Sequence, residues 1–157
     1  PSVGALAVNN KIAFHTRAPR FEKASIEDKV VLVGGTREKD QLLFFIDIEC
    51  PICRSLVQTA KKVAREESVD LVFISDGEIL DQHLDFYRRS KLMPCDYLIS
   101  EEIGQAYGIG KVPYAVLIGA HGKIITFGIV NNREHIESLF QAREDGVGSL
   151  QEFFRKQ

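Results

Sequence analysis

Cys50 and Cys53, with Pro51 and Ile52 between them, are the residues whose types and spacing can do chemistry. Two cysteines three residues apart on a helix lie about one turn from each other, within disulfide reach. They follow the apolar run Leu42 to Ile46, and Pro51 stands where a first helical turn tolerates proline. Cys50 therefore falls at a predicted helix N-terminus, where free amides and the helix dipole favour a thiolate. That makes Cys50 the expected nucleophile. Cys53 is the expected resolving thiol, less exposed and able to attack a mixed disulfide at Cys50. The carboxylates Asp47 and Glu49, just upstream, are candidates for moving protons at the thiols or are plain strand-end surface charges. Two other readings of the pair stay open. Half of a zinc site would need two more ligands, and Cys95, His15, His83, His121 and His135 show no metal-site spacing. A purely structural disulfide is the other. The expectation is no metal and no bound cofactor, the dithiol itself being the redox group.

A second element is Gly110-Lys111-Val112-Pro113-Tyr114, which leads into an apolar strand. Proline is tolerated at a strand start, and a cis X-Pro bond there makes a tight turn. Cys95, between Pro94 and a predicted strand, reads as a bystander thiol of the kind usually buried as a small hydrophobe. His121 reads as a turn residue, and His83 and His135 as helix-surface or partly buried residues.

The elements that must position these groups alternate. Residues 1–40 read as an irregular N-terminal extension with short strands at Ile12 to Phe14 and Val30 to Val33, the second ending at Gly34-Gly35. Leu42 to Ile46 is uninterruptedly apolar, as in a central strand buried on both faces. Ile52, Leu56, Val57, Ala60, Val63 and Ala64 then recur at helical spacing. Val69 to Ile74 is a second buried strand, and Leu80, Leu84 and Tyr87 stripe a second helix bounded by Pro94. Tyr97 to Ile99 is a short strand, and Ser100 is placed to cap a helix running to about Tyr107. Tyr114 to Ile118 and Lys123 to Val130 form a hairpin around Ala120-His121-Gly122. Asn131 or Asn132 opens a helix with Ile136, Leu139 and Phe140 inside, and Ser149 with Glu152 makes a capping box for a last short helix. Strands alternating with helices and closing on a hairpin predict an α/β fold, with a mixed central sheet flanked by helices and N-terminal extension strands. The expected organisation is one domain over 1–157: extension 1–40, core 41–144, and a short C-terminal helix in 145–157.

Composition narrows the function classes. The chain has 157 residues, 45% of them hydrophobic and 27% charged, which suits one globular domain. Acidic and basic residues number 22 and 20, so the basic excess of a general nucleic-acid binder is missing. Three cysteines are too few for a disulfide-stapled scaffold and leave one pair plus one. No run approaches the roughly 20 apolar residues of a membrane helix. The chain begins at Pro1 without Met and reads as a processed or truncated form.

Leu43-Phe44-Phe45, Cys50-Pro51-Ile52-Cys53 and Val112-Pro113-Tyr114 together resemble the thioredoxin-like superfamily. Arg17-Ala18-Pro19-Arg20-Phe21 is similar to the opening of its redoxin-type members. More narrowly the chain resembles the MauD family of methylamine utilization proteins. That match rests on Ile99 to Gly104 with Ala106-Tyr107, on Gly110 to Leu117, and on a tail from Gly128 through Phe140 to Glu152 that general thioredoxins lack.

The resemblance implies a thioredoxin-like fold and a periplasmic thiol–disulfide oxidoreductase or isomerase, anchored to the inner membrane by an N-terminal helix absent from this chain. It maps the dithiol onto Cys50 and Cys53 and the cis-proline onto Pro113. A substrate peptide would then contact Pro51, Ile52, Val112, Pro113 and Tyr114, with the Val112 backbone pairing to it. The implied partners are a protein substrate, the small subunit of methylamine dehydrogenase, and a membrane redox partner that recycles the dithiol. A thioredoxin-like reductant for apocytochrome or copper-site cysteines uses the same residues, and a non-enzymatic chaperone or docking factor is a further alternative. Two departures from thioredoxin itself are visible. Pro-Ile replaces Gly-Pro between the cysteines, leaving the potential open between roughly −270 and −120 mV. Phe44 stands where thioredoxin keeps a buried Asp, so the proton acceptor for the resolving thiol is unassigned.

Overall fold

A computed structural model describes residues 9–145 of the chain. Its seven strands are β1 (Phe21–Ala24), β2 (Val30–Val33), β3 (Gln41–Phe45), β4 (Asp70–Ser75), β5 (Asp96–Ile99), β6 (Tyr114–Ile118) and β7 (Ile124–Ile129). Its four helices are α1 (Pro51–Glu66), α2 (Leu80–Arg89), α3 (Glu101–Ala106) and α4 (Arg133–Asp145). Strands β3 to β7 form one sheet in the order β5-β4-β3-β6-β7, while β1 and β2 form a separate antiparallel ribbon. β3 pairs in parallel with β4 and antiparallel with β6. The sheet is therefore mixed, as the α/β reading expects.

All five residues of β3 are buried, which is why its sequence shows no polar alternation. Leu42 and Phe44 point into a core layer shared with α1, α2 and α4, and Leu43 and Phe45 into one shared with α3 and β2. Helices thus cover both faces. The turn after β2 needs its glycines: Gly34 and Gly35 have φ of +72° and +74°, and a Cβ on Gly34 would meet the Pro19 carbonyl oxygen at 2.9 Å.

Several sequence expectations change. Ile12 to Phe14 is not a strand; Ile12 is buried but Phe14 is 41% exposed, and His15 turns the chain at φ +67°. β1 is an additional strand beyond the expected elements, four residues of half-buried and exposed side chains. On α2 the buried face is His83, Phe86 and Tyr87, whereas Leu80, in the first turn, stays 54% exposed. His83 is no surface residue: it is 1% exposed, its Nδ1 lies 2.8 Å from the Tyr97 hydroxyl, and the two rings meet edge to face. On α1, Cys53 takes the buried position expected of Ile52, which is 46% exposed. The caps hold: Ser100 Oγ accepts from the Ile103 amide, and Asn132 Oδ1 from the His135 amide. The predicted capping box Ser149–Glu152 and the helix within 145–157 lie outside the described residues. No helix among the described residues is long and apolar enough to cross a membrane.

Candidate active site

The dithiol is mounted on the end of β3. The Ile46 amide still donates to the Ile74 carbonyl, and a turn follows in which the Cys50 amide donates to the Asp47 carbonyl at 3.0 Å. Asp47 Oδ1 accepts from the Glu49 amide at 2.9 Å, closing a second small ring in that turn. Cys50 then serves as the N-cap of α1, with Pro51 as first helical residue. Its sulfur accepts from the Cys53 amide at 3.2 Å, in the role that Ser or Asp oxygens usually fill.

The two thiols differ. Both are free, Cys50 half-buried and Cys53 fully buried. Burial, and after it the hydrogen bond with the Cys50 side chain, pushes the Cys53 thiol up to about 12. The Asp47 backbone amide opposes this, and the Asp47 charge adds to it. Cys53 thus keeps its proton at neutral pH. Cys50 holds the position that a partner sulfur can reach, with an amide N–H aimed at it.

The second element arrives at the same end of the sheet. Phe45 is paired with Tyr114, so the segments just after β3 and just before β6 are neighbours. The Val112–Pro113 bond is cis. The Pro113 carbonyl accepts from the Val130 amide, but the Val112 backbone makes no hydrogen bond to any described residue. Val112 and Asp47 line a common cleft of about 350 Å³ that runs between the ends of β3 and β4 and the start of α3.

Of the expected site residues, Asp47, Cys50, Pro51, Ile52 and Cys53 follow the end of β3, and Val112 and Pro113 precede β6 at the same end of the sheet. Tyr114 does not join with its side chain, which is 3% exposed and receives the Asn9 side-chain amide on its hydroxyl at 3.3 Å. Glu49 lines a different groove, with Ile48, Arg54 and Phe86. Cys95 lies before β5, at the opposite end of the sheet, where burial pushes its thiol up and Lys61 partly offsets that. The sequence reading missed Asp76 and Glu101, which share the cleft with Asp47 and follow β4 and β5. Their position after buried strands was the available signal.

No family model matches the chain. A MauD protein of Paracoccus versutus is 37% identical over 151 residues, covering 96% of this chain and 76% of that protein. The chain belongs to the MauD family. A MauD of Methylophilus methylotrophus is 36% identical over 155 residues, 98% of this chain and 73% of that protein. Among solved structures, a secreted Mycobacterium tuberculosis disulfide oxidoreductase homologous to Escherichia coli DsbE superposes with a TM-score of 0.64, at 21% identity over 78% of this chain and 95% of that one. The thioredoxin domain of a Bacteroides vulgatus thiol-disulfide oxidoreductase gives 0.68, at 17% identity over 87% and 99%. This MauD-family chain therefore has the thioredoxin-like fold.

Proposed function

We propose that the chain is a periplasmic thiol–disulfide oxidoreductase that acts on a protein substrate through Cys50 and Cys53. One observation carries the reading: a reachable sulfur caps α1, and a fully buried thiol sits one turn behind it. The Cys50 thiolate attacks a substrate disulfide; the substrate S–S bond breaks, a Cys50–substrate S–S bond forms, and one substrate sulfur leaves as a thiolate. A second substrate thiol can then displace Cys50, which rearranges the substrate with no net electron transfer. Alternatively Cys53 displaces the substrate, which gains two electrons while Cys50 and Cys53 close a disulfide. Run backwards, the same steps oxidise a substrate dithiol.

Cys53 must shed a proton to attack. The acceptor proposed is Asp47, whose backbone amide and charge both act on Cys53, rather than Glu49, which lines another groove. The unpaired Val112 backbone offers a main-chain hydrogen-bonding edge to an extended substrate segment beside Cys50. The substrate proposed is the small subunit of methylamine dehydrogenase, in line with the family's name, and a membrane redox protein would restore the dithiol.

Trapping tests this. With Cys53→Ala, the mixed disulfide cannot be resolved from within, so a substrate protein should remain bonded to Cys50 and be released by reductant. A Cys50→Ser, Cys53→Ser protein that supports normal dehydrogenase maturation would overturn the redox reading.

A further inference from the structure

The face around Cys50 is charged very unevenly. Segments from four places in the sequence meet at that end of the sheet and bring the exposed carboxylates Asp47, Asp76, Glu78, Glu101 and Glu102, while Glu49 lines the separate groove with Arg54 and Arg89. Lys111 is the one cation within the segments 46–50, 76–79, 100–104 and 109–113, and Arg54, on α1, donates to the Ile48 carbonyl of the first. With Glu49 set against Arg54, five negative charges against one positive leave four uncompensated, although the whole chain carries only −2. None of the five is in an ion pair among the described residues. The opposite end of the molecule is built differently. There Asp40 and Glu67 are paired with Arg143, and Asp70 with Arg37. Two apolar side chains at the same end of the sheet, Ile52 in the first turn of α1 and Ile79 next to Glu78, are 46% and 57% exposed.

Resting on the thiol–disulfide reading above, we propose that the segment docked here is extended and basic. It is a stretch of protein substrate with Lys or Arg flanking its target cysteine. The dithiol and the unpaired Val112 backbone fix where it lies; the charge determines what lies there. Paired with Val112, such a segment crosses the mouth of the cleft that Asp47, Asp76 and Glu101 line, and its cationic side chains lie against them. These carboxylates are exposed, so they cost little desolvation on docking. Their effect falls mainly on the rate of encounter and its salt dependence, and on excluding acidic segments.

The test uses disulfide-bridged peptides that differ only in the residues flanking one cysteine: Lys, Ser or Glu. Reduced protein is mixed with each, and the second-order rate is divided by that of a small dithiol with the same peptide. This removes the flanking residue's direct effect on the peptide sulfur. At low salt the Lys peptide should react about tenfold or more faster than the Glu peptide, with Ser between. In about 1 M salt, where screening acts within roughly 3 Å, the preference should collapse. Asp76→Asn with Glu101→Gln should shrink the Lys-to-Glu ratio at low salt. Equal rates for the three peptides, or a ratio untouched by the double substitution, would overturn the proposal while leaving the thiol chemistry standing. Reaction with none of the peptides would instead sink the thiol–disulfide reading itself.

Discussion

The Cys53 amide donates to Cys50 Sγ across 3.2 Å, so one half of the dithiol caps the helix that buries the other half. The two thiols are thereby made unequal by a single turn of backbone. Brief treatment with iodoacetamide near neutral pH should modify Cys50 and spare Cys53, read by mass spectrometry of the digested protein. Equal labelling of both in the folded protein would contradict the burial of Cys53.

The raised Cys53 thiol also has a consequence for stability. In the unfolded chain it ionises at its ordinary 9.0, in the fold at about 12. A group raised in the fold stabilises fully below its unfolded value, and that contribution is lost as pH rises through the folded one. Cys95 and the buried Tyr97 and Tyr107 are raised as well, with the same sign. Urea melts of the reduced protein should therefore show stability falling from about pH 9 upward. The Cys53→Ala protein should fall less steeply over the same range. Parallel profiles for the two proteins would refute the Cys53 contribution.

Asp47 and Glu49 are two residues apart, yet Asp47 acts on Cys53 while Glu49 lines another groove. Asp47→Asn keeps an oxygen for the Glu49 amide and removes the proposed base. In single-turnover experiments, release of substrate from the Cys50 mixed disulfide should slow about tenfold to a hundredfold, at the lower end of general-base effects. Formation of that adduct should change far less. Glu49→Gln should leave the release step near wild type, and the reverse pattern would reassign the base.

His83 and Tyr97 form a buried polar pair between α2 and β5. His83→Ala empties core volume and strips the Tyr97 hydroxyl of a partner. The expected cost is about 2–4 kcal/mol in urea unfolding. Removing both polar groups, with His83→Leu and Tyr97→Phe, should cost less than the two single changes added together. Strict additivity would show that the pair does not act as a unit.

Local chemistry was the part legible in the sequence. Pro51 after an apolar run announces a helix start, so the place of Cys50 needs only neighbours along the chain. The same holds for Ser100 and Asn132 as caps. What failed depends on distant partners. His83 looks like a surface histidine until Tyr97, fourteen residues on, satisfies its ring nitrogen. β1 has only four residues, two of them exposed, and it takes shape by pairing with β2. The acidic face was invisible for a similar reason: its members come from separate segments that become neighbours only through the strand order.

β3 runs through the middle of the sheet with all of its side chains out of water, and the Cys50 sulfur is carried by the turn that follows it. The mount is therefore the part of the molecule least able to adapt, whereas the rim around it is made of surface loops. Such a division lets descent with modification rewrite whom the protein meets, loop by loop, while the bond-making atoms stay where they are.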